Sequence, residues 1–336
     1  MNPDFVALLR CPKTGSELEL TADEFFSNGM VRTGRLTARE GGAVYPVING
    51  VPRFVGKEHY SDSFGYEWRK WPRVQFESEN IGSPMEGHTT RMFRGITGLS
   101  GDEIKGKIVV EFGCGPGRFL DVVRSWGGIA VGIDMSLAVE SAQENFKDDA
   151  MVLIIQGDVM NPPFARDAFD IGYTIGVLHH TPSPGKGIKA LTDSVKSGGL
   201  ICCCVYSKKS FYDYPSVRMF RMIHNGVAAG LGTGFATRMT LFYSYFAATI
   251  LYYILRAVSM VPVLGSRVVD YVGKYLLVNL NIPDKRWRIL DVFDAITPFY
   301  ASTHTPEEVA GWFSAAGCTH IQKTHWGDTS FAAIKQ

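Results

Sequence analysis

Ile108-Val109-Val110-Glu111-Phe112-Gly113-Cys114-Gly115-Pro116-Gly117-Arg118 decides how this 336-residue chain is read. An apolar run ends in an acid, three glycines alternate through a turn, and Phe119-Leu120-Asp121-Val122-Val123 opens a helical pattern. This is a buried parallel strand that delivers the backbone into a tight loop, which a ligand can approach closely. A second apolar strand, Ile129 to Ile133, ends in Asp134, 21 residues after Gly113. An acid there can accept both ribose hydroxyls of a nucleoside lying across the strand ends.

Two nucleoside readings compete. A dinucleotide loop is spaced G-x-G-x-x-G, its third glycine packing helix on strand. Here the spacing is G-x-G-x-G, with Glu111 two residues before the first glycine. A loop built for pyrophosphate gains from the helix N-terminus and would not set a carboxylate beside it. Glu111 suits a cationic ligand instead. The stretch resembles the S-adenosylmethionine (SAM) loop of the class I methyltransferases, an acid followed by G-x-G-x-G. That resemblance implies SAM held by Glu111, Gly113, Gly115, Gly117, Asp134 and the adjoining Met135.

Two later strand ends carry the same resemblance. Met151 to Gln156 runs into Gly157-Asp158-Val159, where the family implies Asp158 on the adenine amine and Val159 packed on the ring. Phe169 to Ile175 runs into Gly176-Val177-Leu178-His179-His180-Thr181-Pro182, similar to the family's fourth motif. Ile175 joins the implied cofactor contacts. Open α/β sheets place their chemistry at this edge. His179 and His180 read either as packed, backbone-bonded structure or, since histidine titrates near neutrality, as a catalytic base. Asp170 reads as lying inside the sheet or at a strand start rather than in the site. The resemblance is close over Lys107 to Tyr206 and looser from Thr303 to Gln336.

Composition narrows the classes. Net charge is +1 with 20% charged residues and no basic block. A nucleic-acid substrate would favour a basic stripe, so a small-molecule or carrier-bound substrate is expected. Cys11, Cys114, Cys202, Cys203, Cys204 and Cys318 are scattered, three of them adjacent in an apparent strand whose neighbours point to opposite faces. They read as small core residues of a cytoplasmic protein. The N-terminus shows no basic region followed by an apolar core, so no secretory signal is expected.

Five parts are expected. Residues 1–56 read as short strands and turns, resembling the small zinc-ribbon-like domain that accompanies many methyltransferases. A structural zinc commonly takes C-x-x-C pairs, yet Thr14 stands where the second cysteine would fall, so no metal is predicted. Residues 57–104 form an aromatic segment containing Tyr60, Phe64, Tyr66, Trp68 and Trp71. Its Phe64-Gly65-Tyr66-Glu67-Trp68 resembles a stretch preceding the SAM loop, which implies Tyr66 and Trp68 over the methionine end of the cofactor. The alternative is a helix docked through its aromatic face. Arg91 or Arg94 would hold the cofactor carboxylate. Residues 105–206 are the SAM-binding core.

Residues 207–300 interrupt the strand–helix alternation as a helical lid insertion. Met239 to Leu255 is free of charge for 17 residues. A spanning helix needs about 20 mainly apolar residues, so a buried amphipathic lid helix is expected rather than a stable span, with a shallow membrane contact between those extremes. Val261-Pro262-Val263-Leu264-Gly265 reads as a break, followed by a helix from Ser266 to about Leu280. Residues 301–336 close the core. Thr305, Pro306 and Glu308 spell a capping box at a helix N-terminus, and a hairpin completes a seven-stranded α/β sheet of the Rossmann-like methyltransferase type with an antiparallel last strand.

The expected chemistry is methyl transfer from SAM to a small metabolite, in secondary metabolism. A sulfonium is stabilised by aromatic faces, which offer no competing nucleophile. Tyr173, Tyr206 and Tyr300 are expected to line that pocket, with His179, His180 or His304 taking the proton; His304 reads equally as a packing residue at a helix N-terminus. The insertion is rich in aromatics and has few obvious acids. A looser resemblance to azetidine-2-carboxylate synthases implies an alternative in which SAM itself is the sole substrate and is cyclised, releasing methylthioadenosine. Nothing in the sequence fixes the oligomeric state.

Overall fold

The computed structural model describes residues 1–56, 62–208, 210–261 and 265–336. Tyr60 and the Pro262, Val263 and Leu264 part of the expected break lie outside them. Four antiparallel strands come first: β1 (Leu18–Phe25), β2 (Val31–Ala38), β3 (Val44–Ile48) and β4 (Val51–Pro52). Helices α1 (Asp62–Lys70), α2 (His88–Thr97) and α3 (Gly101–Ile104) lead to the core. There β5 (Ile108–Phe112), α4 (Arg118–Ser125), β6 (Ile129–Asp134), α5 (Ala138–Asn145), β7 (Val152–Gln156), β8 (Phe169–Ile175), α6 (Pro184–Ser194) and β9 (Val195–Cys204) alternate.

The insertion follows as α7 (Pro215–Leu231), α8 (Thr233–Phe246), α9 (Tyr252–Ser259), α10 (Gly265–Tyr275) and α11 (Lys285–Ile296). The chain closes with α12 (Pro306–Ala315), β10 (Cys318–Lys323) and β11 (Ser330–Lys335). The large sheet has the order β10-β11-β9-β8-β5-β6-β7. From β9 to β7 every pairing is parallel, and β11 alone runs against its neighbours. The expected seven-stranded sheet with a reversed last strand is therefore present.

The strands form where the sequence is apolar on both faces, because helices cover both sides of a parallel sheet. Val109, Val110, Phe112, Ala130, Val131, Ile133, Leu153 and Ile155 are all buried. Asp170 sits at the start of β8, accepting the Ile108 N–H at 2.8 Å and pairing with Lys196. The small N-terminal sheet abuts the β7 edge: the Phe54 N–H donates to the Gln156 carbonyl at 2.8 Å, and the buried Arg53 guanidinium reaches the Gln156 side chain and Glu140. Cys11 is buried beside the Tyr45 hydroxyl. Among the described residues no group of three or more His, Cys, Asp or Glu is placed to hold a metal.

The Thr305 capping box forms as the sequence predicts, with Pro306 in the first turn. Two expectations about the insertion need correction. The helix after the break ends at Tyr275, because Leu277 adopts a left-handed φ of 53°. The charge-free run lies in one continuous helix, Thr233–Ser259, carried through a π-helical turn at Ala247–Leu251. It is not a buried lid helix, since only 28% of its most apolar stretch is buried.

Candidate active site

The order of strands reverses at β5, which lies between β6 and β8, and such a point opens a crevice at the carboxyl ends. A cavity of about 760 Å³ occupies it. Its floor is the loop after β5. Gly113 has φ +78°, and a Cβ there would lie 2.3 Å from the Val177 side chain, so only glycine fits. Gly115 lies under Trp68, its N–H donating to Asp134 Oδ2 at 2.9 Å. The other Asp134 oxygen accepts from the Ser136 N–H and hydroxyl at 2.8 and 2.7 Å. This carboxylate is thereby aimed from the end of β6 at the loop.

Glu111 is buried at the end of β5 and lines the cavity. Burial holds its carboxyl well above the usual range, and the Tyr173 hydroxyl, which donates to it at 3.1 Å, and Arg118 oppose that shift. Met135, Val159 and Ile175 line the same space. Asp158 stands one residue ahead of Val159, half-buried, accepting the Met160 N–H at 2.8 Å. Gly117 begins α4 with φ +93° behind the loop.

Trp68 lines the cavity, whereas Tyr66 points to Phe293 with ring centroids 5.9 Å apart. Tyr206 lines it as well, stacked between His179 and Tyr212 at 3.6 Å from each. Two expected pocket residues and one candidate base are elsewhere. Tyr173 is fully buried under Phe93 and acts as the support of Glu111. Tyr300 is 38% exposed and does not line the cavity, and its carbonyl accepts from His180 Nδ1 at 2.7 Å. His304 bonds Ser302 and Glu308 at the start of α12, a packing and capping position outside the cavity.

His179 is buried, its Nδ1 accepting the Tyr206 N–H at 3.3 Å, and burial holds it well below the ordinary histidine value. His180 faces the cavity and is pushed down to about 4 by burial. Both rings are neutral near pH 7. Arg91 and Arg94 are exposed; Arg118 is the cavity's arginine, over the Phe119 ring and brought down to about 10 by burial.

The insertion also supplies acids where few were expected. Asp291 and Asp294, three apart on α11, line the cavity with Glu67 of α1. The Tyr206 hydroxyl donates to Asp294 at 3.1 Å. Burial, then Asp294, raises Asp291 to about 7, and its Oδ2 has no partner among the described residues. Glu67 is fully buried, neither oxygen has a partner among the described residues, and burial followed by Asp294 holds it well above the carboxylate range. Five carboxyl groups thus face one arginine. Their spacing was visible in the sequence, but not that both faces of α11 are covered.

Residues 110–203 match the family model described as a methyltransferase domain. SAM is the cofactor of this domain, and the site fits it: a glycine cradle, an aimed carboxylate on β6 and an acid-rich wall suited to a cation. Over 98 residues the chain is 31% identical to a ubiquinone biosynthesis O-methyltransferase of Coxiella burnetii, covering 29% of this chain and 42% of that protein. Over 104 residues it is 36% identical to a demethylmenaquinone methyltransferase of Desulfitobacterium hafniense, covering 29% and 41%. The chain spans less than half the length of these relatives. A SAM-dependent methyltransferase structure from Thermotoga maritima aligns over 83% of this chain and all of its own, at 14% identity and a TM-score of 0.45.

Proposed function

We propose that the chain is a cytoplasmic enzyme of secondary metabolism that methylates a nucleophilic atom of a small molecule, with no nucleic-acid substrate. The observation that carries this is the meeting of Glu67, Asp291 and Asp294 with Tyr206 and Tyr212 in the same cavity that the glycine loop floors. Asp134 would hold the ribose, Asp158 and Val159 the adenine, and Glu111, Trp68 and Arg118 the methionine end. When bound, SAM supplies an electrophilic methyl group on a sulfonium.

The rest of the work falls to this chain. Phe64, Trp68 and Leu290 exclude water, which strengthens every charge interaction inside. Tyr206 fixes Asp294 by its hydroxyl bond, and the stack on His179 and Tyr212 fixes Tyr206. Asp291, titrating at about 7 with a spare oxygen, is suited to take the proton from the acceptor. The neutral His179 and His180 serve as packing for that wall. The likeness to two methyltransferases named for quinone compounds supports a small-molecule acceptor.

The same acids favour a second reading, ring closure of SAM to azetidine-2-carboxylate with methylthioadenosine leaving, since its amine must lose a proton to a base. Purified protein incubated with SAM, alone and with a panel of amines and phenols, separates the two. Methyl transfer gives S-adenosylhomocysteine only when an acceptor is present. Methylthioadenosine from SAM alone identifies ring closure, and neither product under any condition would remove both readings.

A further inference from the structure

We infer that the outward face of the helical insertion docks on a lipid bilayer bearing anionic headgroups. Along Thr233–Ser259, Phe235, Met239, Phe242, Phe246, Ile250 and Tyr253 recur every three or four residues, and all are exposed, Phe242 at 76%. At 3.6 residues per turn they share one face. The opposite face carries Ala236, Thr240, Ser244, Ala247 and Ala248, all buried, where α8 packs on α7 and α11. Ser244 spends its hydroxyl on the Thr240 carbonyl at 2.8 Å, and Thr240 bonds the His224 ring at 2.8 Å. The helix is therefore amphipathic in the inverted sense, with small and hydroxyl side chains inside and large apolar ones outside. Met219, Met222 and Ile223 of α7 extend the exposed apolar surface.

Charge selects the occupant. From Tyr214 to Leu280 the chain holds Arg218, Arg221, Arg238, Arg256, Arg267 and Lys274 against one acid, Asp270. Arg238, Arg256, Arg267 and Lys274 are exposed. A cavity of about 550 Å³ bordered by Arg218, Arg221, Met222 and Phe299 opens on α7. Arg218 is paired with Asp213, while Arg221 is buried with no partner for its Nη2 among the described residues. A second copy of this chain would bring like charges together, whereas an anionic bilayer complements both the apolar stripe and the excess of cations.

The helix lies on the bilayer rather than across it. Thr233–Ser259 is long and apolar enough to cross a bilayer, but its inner face is already packed on α7 and α11. Because α11 both lines the active-site cavity and packs on α8, docking sets the roof of that cavity beside the lipid.

Flotation of the full chain with vesicles tests this directly. Vesicles of phosphatidylcholine with one-third phosphatidylglycerol should carry the protein, at least tenfold more tightly than pure phosphatidylcholine vesicles. Phe242→Glu with Tyr253→Glu should abolish binding while leaving the circular dichroism spectrum and melting temperature intact. Arg238→Glu with Arg256→Glu should remove the preference for the anionic lipid. No binding at millimolar lipid would overturn the inference. So would a dimer, seen by sedimentation, that the Phe242→Glu change dissociates, because the face would then be an interface between copies.

Discussion

The central sheet and the long insertion helix solve opposite problems with similar residues. In β5 to β8 the large aliphatic side chains point into layers covered by helices, and the strand ends carry the few acids that reach the ligand cavity. In Thr233–Ser259 the small residues Ala236, Ser244 and Ala247 point inward, and Phe235, Phe242 and Ile250 point out. Apolar content alone therefore does not define a core. What defines it is which face finds a partner within the chain, and among the described residues the insertion leaves its larger apolar face without one.

Stability measurements break or sharpen this contrast. Phe293 on α11 is fully buried against Tyr66 and Trp71. Phe293→Ala should cost about 3–5 kcal/mol in denaturant unfolding. Phe242→Ala, on the outward stripe, should change stability by no more than about 0.5 kcal/mol. Equal losses would mean that the stripe is covered in the folded chain, and the contrast would fail.

A pH series probes the acids that the insertion lends to the cavity. Asp291 is raised from an ordinary 3.8 to about 7 by burial and then by Asp294. The folded state holds its proton more tightly than the unfolded chain, so its contribution favours folding at low pH. That contribution is lost as pH rises between those two values and stays absent above about 7. Asp291→Asn should remove this decline, so that melting temperatures at pH 5 and pH 8 lie closer together than in the parent. With Asp291 as base, turnover should climb through about pH 7, and the Asn variant should lose that rise. An unchanged profile would take Asp291 out of the proton transfer.

The smallest effect belongs to the end of the core. Thr305 caps α12 by accepting the Glu308 N–H at 3.2 Å, and Glu308 answers by accepting the Thr305 N–H. Thr305→Ala should cost about 1 kcal/mol, read as a shifted denaturation midpoint at constant slope. A loss several times larger would show that the cap also positions His304 and the β9 end beside it.

These regions also differ in how far they could be read from sequence. Buried parallel strands leave unbroken apolar runs, and the ends that line the cavity are marked by Glu111, Gly113 and Asp134, so order and edge were both legible. The capping box was legible because it is local. Tyr173 was misplaced because strand alternation says which residues share a face, not which face meets the cavity; its hydroxyl is spent on Glu111 from below. Asp291 and Asp294 were missed because aspartates in an amphipathic helix ordinarily face water, and only the covering of α11 on both sides turns them inward.

Arg118 had left a trace. It is a cation in the first turn of α4, where the helix dipole opposes it, and such a residue needs an acidic neighbourhood. The outward stripe left one too. Thr240, Ser244, Ala247 and Ala248 fall on a single side of a run otherwise made, Thr249 apart, of large side chains, a pattern more informative than the absence of charge.

The central claim is that the carboxyl edge of the sheet binds the adenosine of SAM through Asp134. Calorimetric titration of the parent protein and Asp134→Ala with S-adenosylhomocysteine tests it most directly. Hydrogen bonds to a charged group are worth about 1.5–3 kcal/mol, so the variant should bind about ten- to a hundredfold more weakly at an unchanged stoichiometry of one. Equal affinity of the two proteins, or tighter binding of a nicotinamide dinucleotide by the parent, would contradict it.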